Sequence, residues 1–300
     1  MAFELNYPEQ VRSVADAIQW AAVMLEGEEL WYGHGTDNAV DEAAWLVLHL
    51  CGIDYPVESE AYARRIDEPT MKQIVALLGQ RINQRQPLPY LLKEAWFAGL
   101  KFAVDERVLI PRSPFAELIE GGFEPWLSGR QPERILEIGT GSGCIAIACA
   151  LAFPEANVVA TDISPEALAV ARSNVERYKL EDRLMLLEAD LLDGVEGCFD
   201  LIVTNPPYVP VEEVNSLPEE YNHEPVLALA SGNDGMDCAR GILRDSFAHM
   251  HEHSLLFIEV GAFSEELEAA CPDIPFMWLE LEHGGEGIAM ITEQDLKMTT

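Results

Sequence analysis

Apolar positions recur along this chain in two rhythms, and the change from one to the other divides it. Up to about residue 90 the spacing is three to four. Val11, Val14, Ala15, Ile18, Ala22 and Leu25 fall on one face of a helix over Glu9–Leu25. Thr36-Asp37-Asn38 can cap a second helix, which carries Ala43, Leu46, Val47 and Leu50 and stops at Gly52. A third begins near Pro69, passes through Ile74, Leu77, Leu78 and Ile82, and ends before Pro87 and Pro89. These predict a small helical domain over residues 1–90 with no catalytic spacing of its own, suited to recognising a partner or covering a site. Ala95–Phe102 and Arg107–Ile110 read as a β-hairpin with a rigid exit, Pro111-Arg112-Ser113-Pro114, so residues 91–114 form a linker. From Arg134 short apolar runs alternate with helical stretches. Strands are predicted at Arg134–Ile138, Asn157–Thr161 and Leu184–Leu187, in the apolar run within Asp200–Tyr208, and at Leu255–Val260, with a closing hairpin of Met277–Leu281 and Ile288–Ile291. That alternation marks a mostly parallel α/β sheet over residues 115–300.

Chemistry collects at the ends of those strands. The first opens into Gly139-Thr140-Gly141-Ser142-Gly143 and then an apolar helix, so the backbone can turn sharply and approach a ligand closely. Asp162 ends the second strand, where a carboxylate can accept two hydrogen bonds from a ribose diol. Both features suit NAD as well, but the dinucleotide fingerprint wants a third glycine where Cys144 stands. Asp190 follows the third strand; it can accept from an adenine amino group, although a solvated loop carboxylate is the commoner identity of such a residue. The fourth runs into Asn205-Pro206-Pro207-Tyr208. There a planar NH2 group can donate to the Asn205 side-chain oxygen and the Pro206 carbonyl, with Tyr208 over its face and the nitrogen lone pair aimed outward. That arrangement favours attack on an electrophilic carbon, and methyl transfer is the obvious chemistry; a strand that merely ends in a Pro-Pro turn has the same spelling. Ligands of open parallel sheets lie at the carboxyl ends of the strands, which gathers all four segments round one crevice.

Three further features are weaker. Pro210–Pro225 is polar and proline-interrupted, a candidate lid. Arg112 is a cation between prolines, read either as a surface residue or as the anchor of a helix start or a carboxylate near the site. His249, His251 and His253 invite a metal reading, yet i and i+2 point to different helix faces, so cations at the C-terminus of a helix over 236–251 account for them better, and no metal set is assigned.

Composition then narrows the partners. Nineteen basic residues against 52 acidic leave a formal charge of −33, which repels a phosphate backbone and attracts a basic partner; an acidic proteome gives the same number. The six cysteines form no CxxC pair and read as reduced thiols of a cytoplasmic protein. Met1–Asn6 leads into no apolar leader segment, and no apolar run reaches the ~18 residues of a membrane span.

The set Leu136-Glu137-Ile138-Gly139-Thr140-Gly141-Ser142-Gly143, Asp162, Asp190 and Asn205-Pro206-Pro207-Tyr208 resembles the S-adenosylmethionine-dependent class I methyltransferases, whose sheet has seven mostly parallel strands. Leu109-Ile110-Pro111-Arg112, Glu224-Pro225, Leu229 and Gly232-Asn233-Asp234-Gly235 extend the resemblance across essentially the whole chain to the protein N5-glutamine methyltransferases, which modify the Gln of Gly-Gly-Gln in translation proteins. Release-factor enzymes of that family read Pro-Arg-Pro, then acid-Thr-Glu. Here Arg112-Ser113-Pro114-Phe115-Ala116-Glu117 departs from that and looks like the branch acting on large-ribosomal-subunit protein three. The resemblance implies that Gly139, Gly141 and Gly143, with Thr140 and Glu137, line the methionine part of S-adenosylmethionine. It implies that Asp162 binds the ribose, that Asp190 neighbours the adenine, that Ile163, Leu191 and Asn205 also meet the cofactor, and that Asn205, Pro206, Pro207 and Tyr208 hold the substrate amide, with Arg112 beside them. Direct displacement needs no general base, since the methylated nitrogen loses its proton to nearby acceptors or water. A nucleic-acid amino-methyltransferase shares the Asn-Pro-Pro-aromatic tip, but the charge opposes it.

Overall fold

The computed structural model describes residues 7–297 and divides them into two units. The Met1–Asn6 segment read for a leader lies outside the described residues. The first unit comprises the described residues up to Glu94 together with Pro218–His223, and the second runs over Ala95–Leu217 and from Glu224 onward.

The first unit is helical. Its helices are Val14–Glu26, Ala39–Leu50 and Glu68–Gln84, with a short one at Leu88–Leu92. Each long helix starts at a side chain that accepts from the backbone of its first turn: Ser13 in a capping box with Asp16, Asn38 from Asp41, and Asp67 from Thr70. The first helix therefore begins five residues later than the periodicity suggests, and its buried face is Val14, Ala17, Ile18, Trp20, Ala21, Ala22 and Leu25, leaving Ala15 outside. At the centre of the unit lies Arg81, 2% exposed. Its Nε donates to Glu42 at 2.6 Å, Nη1 to Glu220 at 3.0 Å and Nη2 to the Trp31 carbonyl at 2.7 Å. Glu220 lies in the stretch read as part of a lid. A carboxylate that pairs with a buried guanidinium is built into the unit, and Glu220 is itself 1% exposed.

The second unit opens with a hairpin of two strands, β1 at Glu94–Phe97 and β2 at Leu100–Ala103. The turn falls at Ala98-Gly99, both with positive φ, so the hairpin is tighter and earlier than its apolar pattern indicated. Arg107–Ile110 forms no strand, because the Ile110 N–H donates to the Glu224 carboxylate at 3.0 Å instead of to a ladder.

Seven more strands build one sheet: β3 (Arg134–Ile138), β4 (Asn157–Asp162), β5 (Leu184–Glu188), β6 (Leu201–Thr204), β7 (Leu255–Glu259), β8 (Met277–Trp278) and β9 (Ile288–Thr292). Their order is β5-β4-β3-β6-β7-β9-β8. The pairs from β5 to β7 are parallel, whereas β9 runs antiparallel to both β7 and β8. This is the seven-stranded, mostly parallel α/β sheet expected from the sequence. Strands β6 and β7 are buried along their whole length, as strands covered on both faces are. The helix after Met236 stops at Ser246 and a tight turn covers Phe247–His249, so His251 and His253 lie beyond it. His251 instead faces Asp200 at 3.0 Å, and among the described residues no group of three or more His, Cys, Asp or Glu could hold a metal.

Removing the Arg81 guanidinium leaves buried Glu42 without its cation and Glu220 with Arg85 alone, 3.4 Å away. Arg81→Met should therefore cost about 3–5 kcal/mol of unfolding free energy, read by urea denaturation.

Candidate active site

The switch in sheet order sits at β3. It pairs with β4 on one side and β6 on the other, so a crevice opens at the carboxyl ends of these strands. A cavity of about 280 Å³ lies there, roomy enough for a small organic molecule. The structure brings to its wall Glu137, Gly139, Thr140, Gly141, Asp162, Ile163, Asp190, Leu191, Asn205, Pro206, Pro207 and Arg112. Gly143 and Tyr208 are not on that wall.

The glycine loop is tied to the neighbouring strand: Gly139 and Thr140 N–H groups both donate to the Thr161 carbonyl, at 2.9 and 2.8 Å. Its glycines do different work. A Cβ on Gly139 or Gly141 would meet nothing within 4 Å, so these positions face open space above the loop. On Gly143 it would stand 3.3 Å from Ala171, which makes that glycine a packing residue. Asp162 accepts from Gly141 N at 2.8 Å and Ser164 N at 2.9 Å. It thereby fixes the loop, with lone pairs of its carboxylate left for further donors. Burial raises its carboxyl above the usual range against those two donors.

Glu137 ends up inside the protein, 1% exposed. Thr140 Oγ1 and the Ala146 N–H, the latter at 2.9 Å, both donate to its Oε2. Burial outweighs these donors, and the nearby Asp162 charge adds to it, so the carboxyl is pushed up to about 8.

Asn205, Pro206 and Pro207 follow β6 directly at the mouth of the crevice. Tyr208 turns aside: its ring lies 5.9 Å from that of Phe263. The turn is held from behind, since Val209 N donates to the Leu229 carbonyl and Ser231 N to the Val209 carbonyl, both at 2.9 Å. Gly235 approaches the Tyr208 carbonyl so closely that a Cβ there would stand 2.2 Å from its oxygen. Arg112 clasps Glu224 through two bonds of 2.6 and 2.7 Å, and Glu224 is 3% exposed. Its partner is therefore a carboxylate of the protein itself. Sequence reasoning missed Glu259, a buried acid bonded to Ser113 of this wall; a charged residue ending an otherwise apolar strand was the only signal available.

Comparison with known proteins bears on this geometry. Residues 125–220 match the methyltransferase small domain family. The ribosomal protein uL3 glutamine methyltransferase of Francisella tularensis subsp. tularensis is 42% identical over 95% of this chain and 92% of its own length. The protein of the same name from Xanthomonas campestris pv. campestris is 43% identical over 96% of this chain and 94% of its length. The chain belongs to the uL3 glutamine methyltransferase family. It is an S-adenosylmethionine-dependent methyltransferase with the class I fold. Among solved structures, the hMettl16 catalytic domain in complex with MAT2A 3'UTR hairpin 6 aligns with a TM-score of 0.51 at 17% identity, covering 77% of this chain and 85% of that one, a likeness of fold alone. The open space over Gly139 and Gly141, with carboxylates at Asp162 and Asp190 beside it, fits a cofactor that carries an amino-acid end and a nucleoside end.

A carboxyl raised from 4.5 to about 8 binds its proton more tightly in the folded chain, so its contribution to stability is complete below the unfolded value and is lost as pH rises through about 8. Glu137→Gln should accordingly gain stability relative to the parent between about pH 5.5 and about pH 9, measured by urea unfolding of cofactor-free protein at both.

Proposed function

We propose that this enzyme transfers the methyl group of S-adenosylmethionine to the side-chain amide nitrogen of a glutamine in ribosomal protein uL3. The observation that carries this reading is the Asn205-Pro206-Pro207 turn at the edge of the glycine-loop cavity, in a chain similar over nearly its whole length to proteins named for that activity. The departure at Arg112-Ser113-Pro114 supports uL3 over release factors as the substrate.

The cofactor supplies a methyl carbon bonded to a sulfonium, which a nitrogen lone pair attacks in line. The protein's part is placement. Gly139, Thr140 and Gly141, with Glu137 beneath, line the amino-acid end; Gly143 supports them by packing. Asp162 accepts from the ribose while anchoring Gly141, and Ile163, Asp190 and Leu191 border the adenine. The Asn205 side-chain oxygen and the Pro206 carbonyl accept the two N–H bonds of the glutamine amide, which fixes its plane. Pro207 and Tyr208 stiffen the turn, and Arg112 acts on it through Glu224 by holding the Pro225–Ala228 wall. Positioning of this kind can supply ~7–11 kcal/mol. We read the helical unit as the part that recognises the substrate protein, and the charge of −33 as favouring a basic partner and opposing direct contact with nucleic acid. Such a substrate is made in the cytoplasm, and among the described residues no helix is long and apolar enough to cross a membrane.

Mass spectrometry of uL3 and of a release factor after incubation with labelled cofactor tests the reading. One methyl on a uL3 glutamine is expected, and label on the release factor alone would sink it. Asp162→Ala should weaken cofactor binding by roughly 1.5–3 kcal/mol in calorimetry, the range for hydrogen bonds to a charged group. Asn205→Ala should leave that affinity nearly unchanged and slow methyl transfer by roughly 10²-fold or more. Asn205→Asp should also be badly impaired, because it sets a negative charge against the glutamine carbonyl; near-normal turnover would refute this account of amide recognition.

A further inference from the structure

One hydroxyl on the cavity wall has a bond to spare. Ser113 lines the cavity while only 8% exposed. A serine hydroxyl has one hydrogen to donate and two lone pairs. The hydrogen goes to Glu259 Oε2 at 2.5 Å, and one lone pair takes the Phe115 N–H at 3.1 Å. No further donor among the described residues is bonded to the second pair.

Glu259 stands behind that serine at the end of β7, 4% exposed. The register fixes its place. Ile138, Thr204 and Ile258 pair in one row across the sheet, and Gly139, Asn205 and Glu259 are the residues that follow them in the chain. Arg112, clamped by Glu224, is its charged neighbour, Ile288 of β9 pairs with it across the sheet, and the Tyr208 ring lies beside Gly261.

We propose that Ser113 and Glu259 form a relay that carries the proton off the glutamine nitrogen as it is methylated. This rests on the function proposed above. The nitrogen forms its bond to the methyl carbon as the carbon–sulfur bond breaks and the bonding pair leaves with sulfur; the nitrogen is then left positively charged with one hydrogen too many. The Asn205 and Pro206 oxygens orient its N–H bonds, but amide oxygens are too weakly basic to keep a proton. The surplus hydrogen passes to Ser113 Oγ as the hydroxyl's own hydrogen passes to Glu259 Oε2, so a cation and a carboxylate become a neutral amide and a neutral carboxyl. No other reactant is consumed. Ser113 touches the substrate, and Glu259 acts through it. Burial pushes the Glu259 carboxyl up to about 7, against the Ser113 bond and the Arg112 charge, so the accepting form is lost as pH falls through that value.

The experiment uses the full chain with uL3. Ser113→Ala should lower kcat by roughly 10²-fold, with the cofactor Kd from calorimetry unchanged, and Ser113→Thr should restore most of the loss. The parent kcat should rise with pH through an inflection near 7, which Glu259→Gln should remove. Infrared difference spectra of cofactor-free protein should show a carboxylic-acid band titrating over the same range, absent in Glu259→Gln and shifted in Ser113→Ala, where its hydrogen-bond donor is gone. A Ser113→Ala enzyme with parental kcat and inflection, or the absence of that band, overturns the relay while methylation of uL3 by the parent stands. Failure of the parent to methylate uL3 overturns the substrate reading instead, and the infrared titration still decides whether Glu259 is the titrating acid behind Ser113.

Discussion

The site depends on a constraint in the sheet: β3 must hydrogen-bond to β4 on one side and to β6 on the other. Chain leaving β3 travels towards β4, whereas β6 returns beyond it, so the connections part above the β3 end and leave the crevice open. A loop that turns there has to approach whatever fills the gap. Gly139 and Gly141 meet that demand with positive φ and with no atom standing where a side chain would be. Parallel register does the rest, since it sets the ends of β3, β6 and β7 abreast and so brings residues far apart in sequence to one row.

Around that row the protein buries acids. Glu137, Asp162, Glu224 and Glu259 each cost desolvation, and each is met by donors of the protein: Thr140 and Ala146, Gly141 and Ser164, Ile110 and Arg112, Ser113. A wall built this way is stiff, because moving any part of it strands a buried carboxylate. Stiffness suits a reaction whose catalysis is largely positional. The same burial divides the acids by charge. Glu224 is clasped by a guanidinium, whereas Glu137 and Glu259 have no cation bonded to them among the described residues and are pushed towards neutrality.

What the sequence alone determined is whatever depends on neighbours along the chain. Apolar runs placed β3 and β4 to within a residue, and Asn38 capped its helix where a side chain of its type can reach an exposed N–H. The glycine loop, Asp162 and the Asn-Pro-Pro turn were legible for the same reason, and the strand-end rule was enough to gather them. Tertiary structure decided the partnerships. Ser113 meets Glu259 across 146 residues, Arg112 meets Glu224 across 112, and Arg81 meets Glu220 across 139. It also decided that Ala98-Gly99 makes the hairpin turn and that Ile110 donates to a side chain instead of a strand. A buried acid announces that it needs donors, but its sequence neighbourhood does not say which. The choice belongs to the packing that brings distant elements within about 3 Å of one another, the reach of a hydrogen bond.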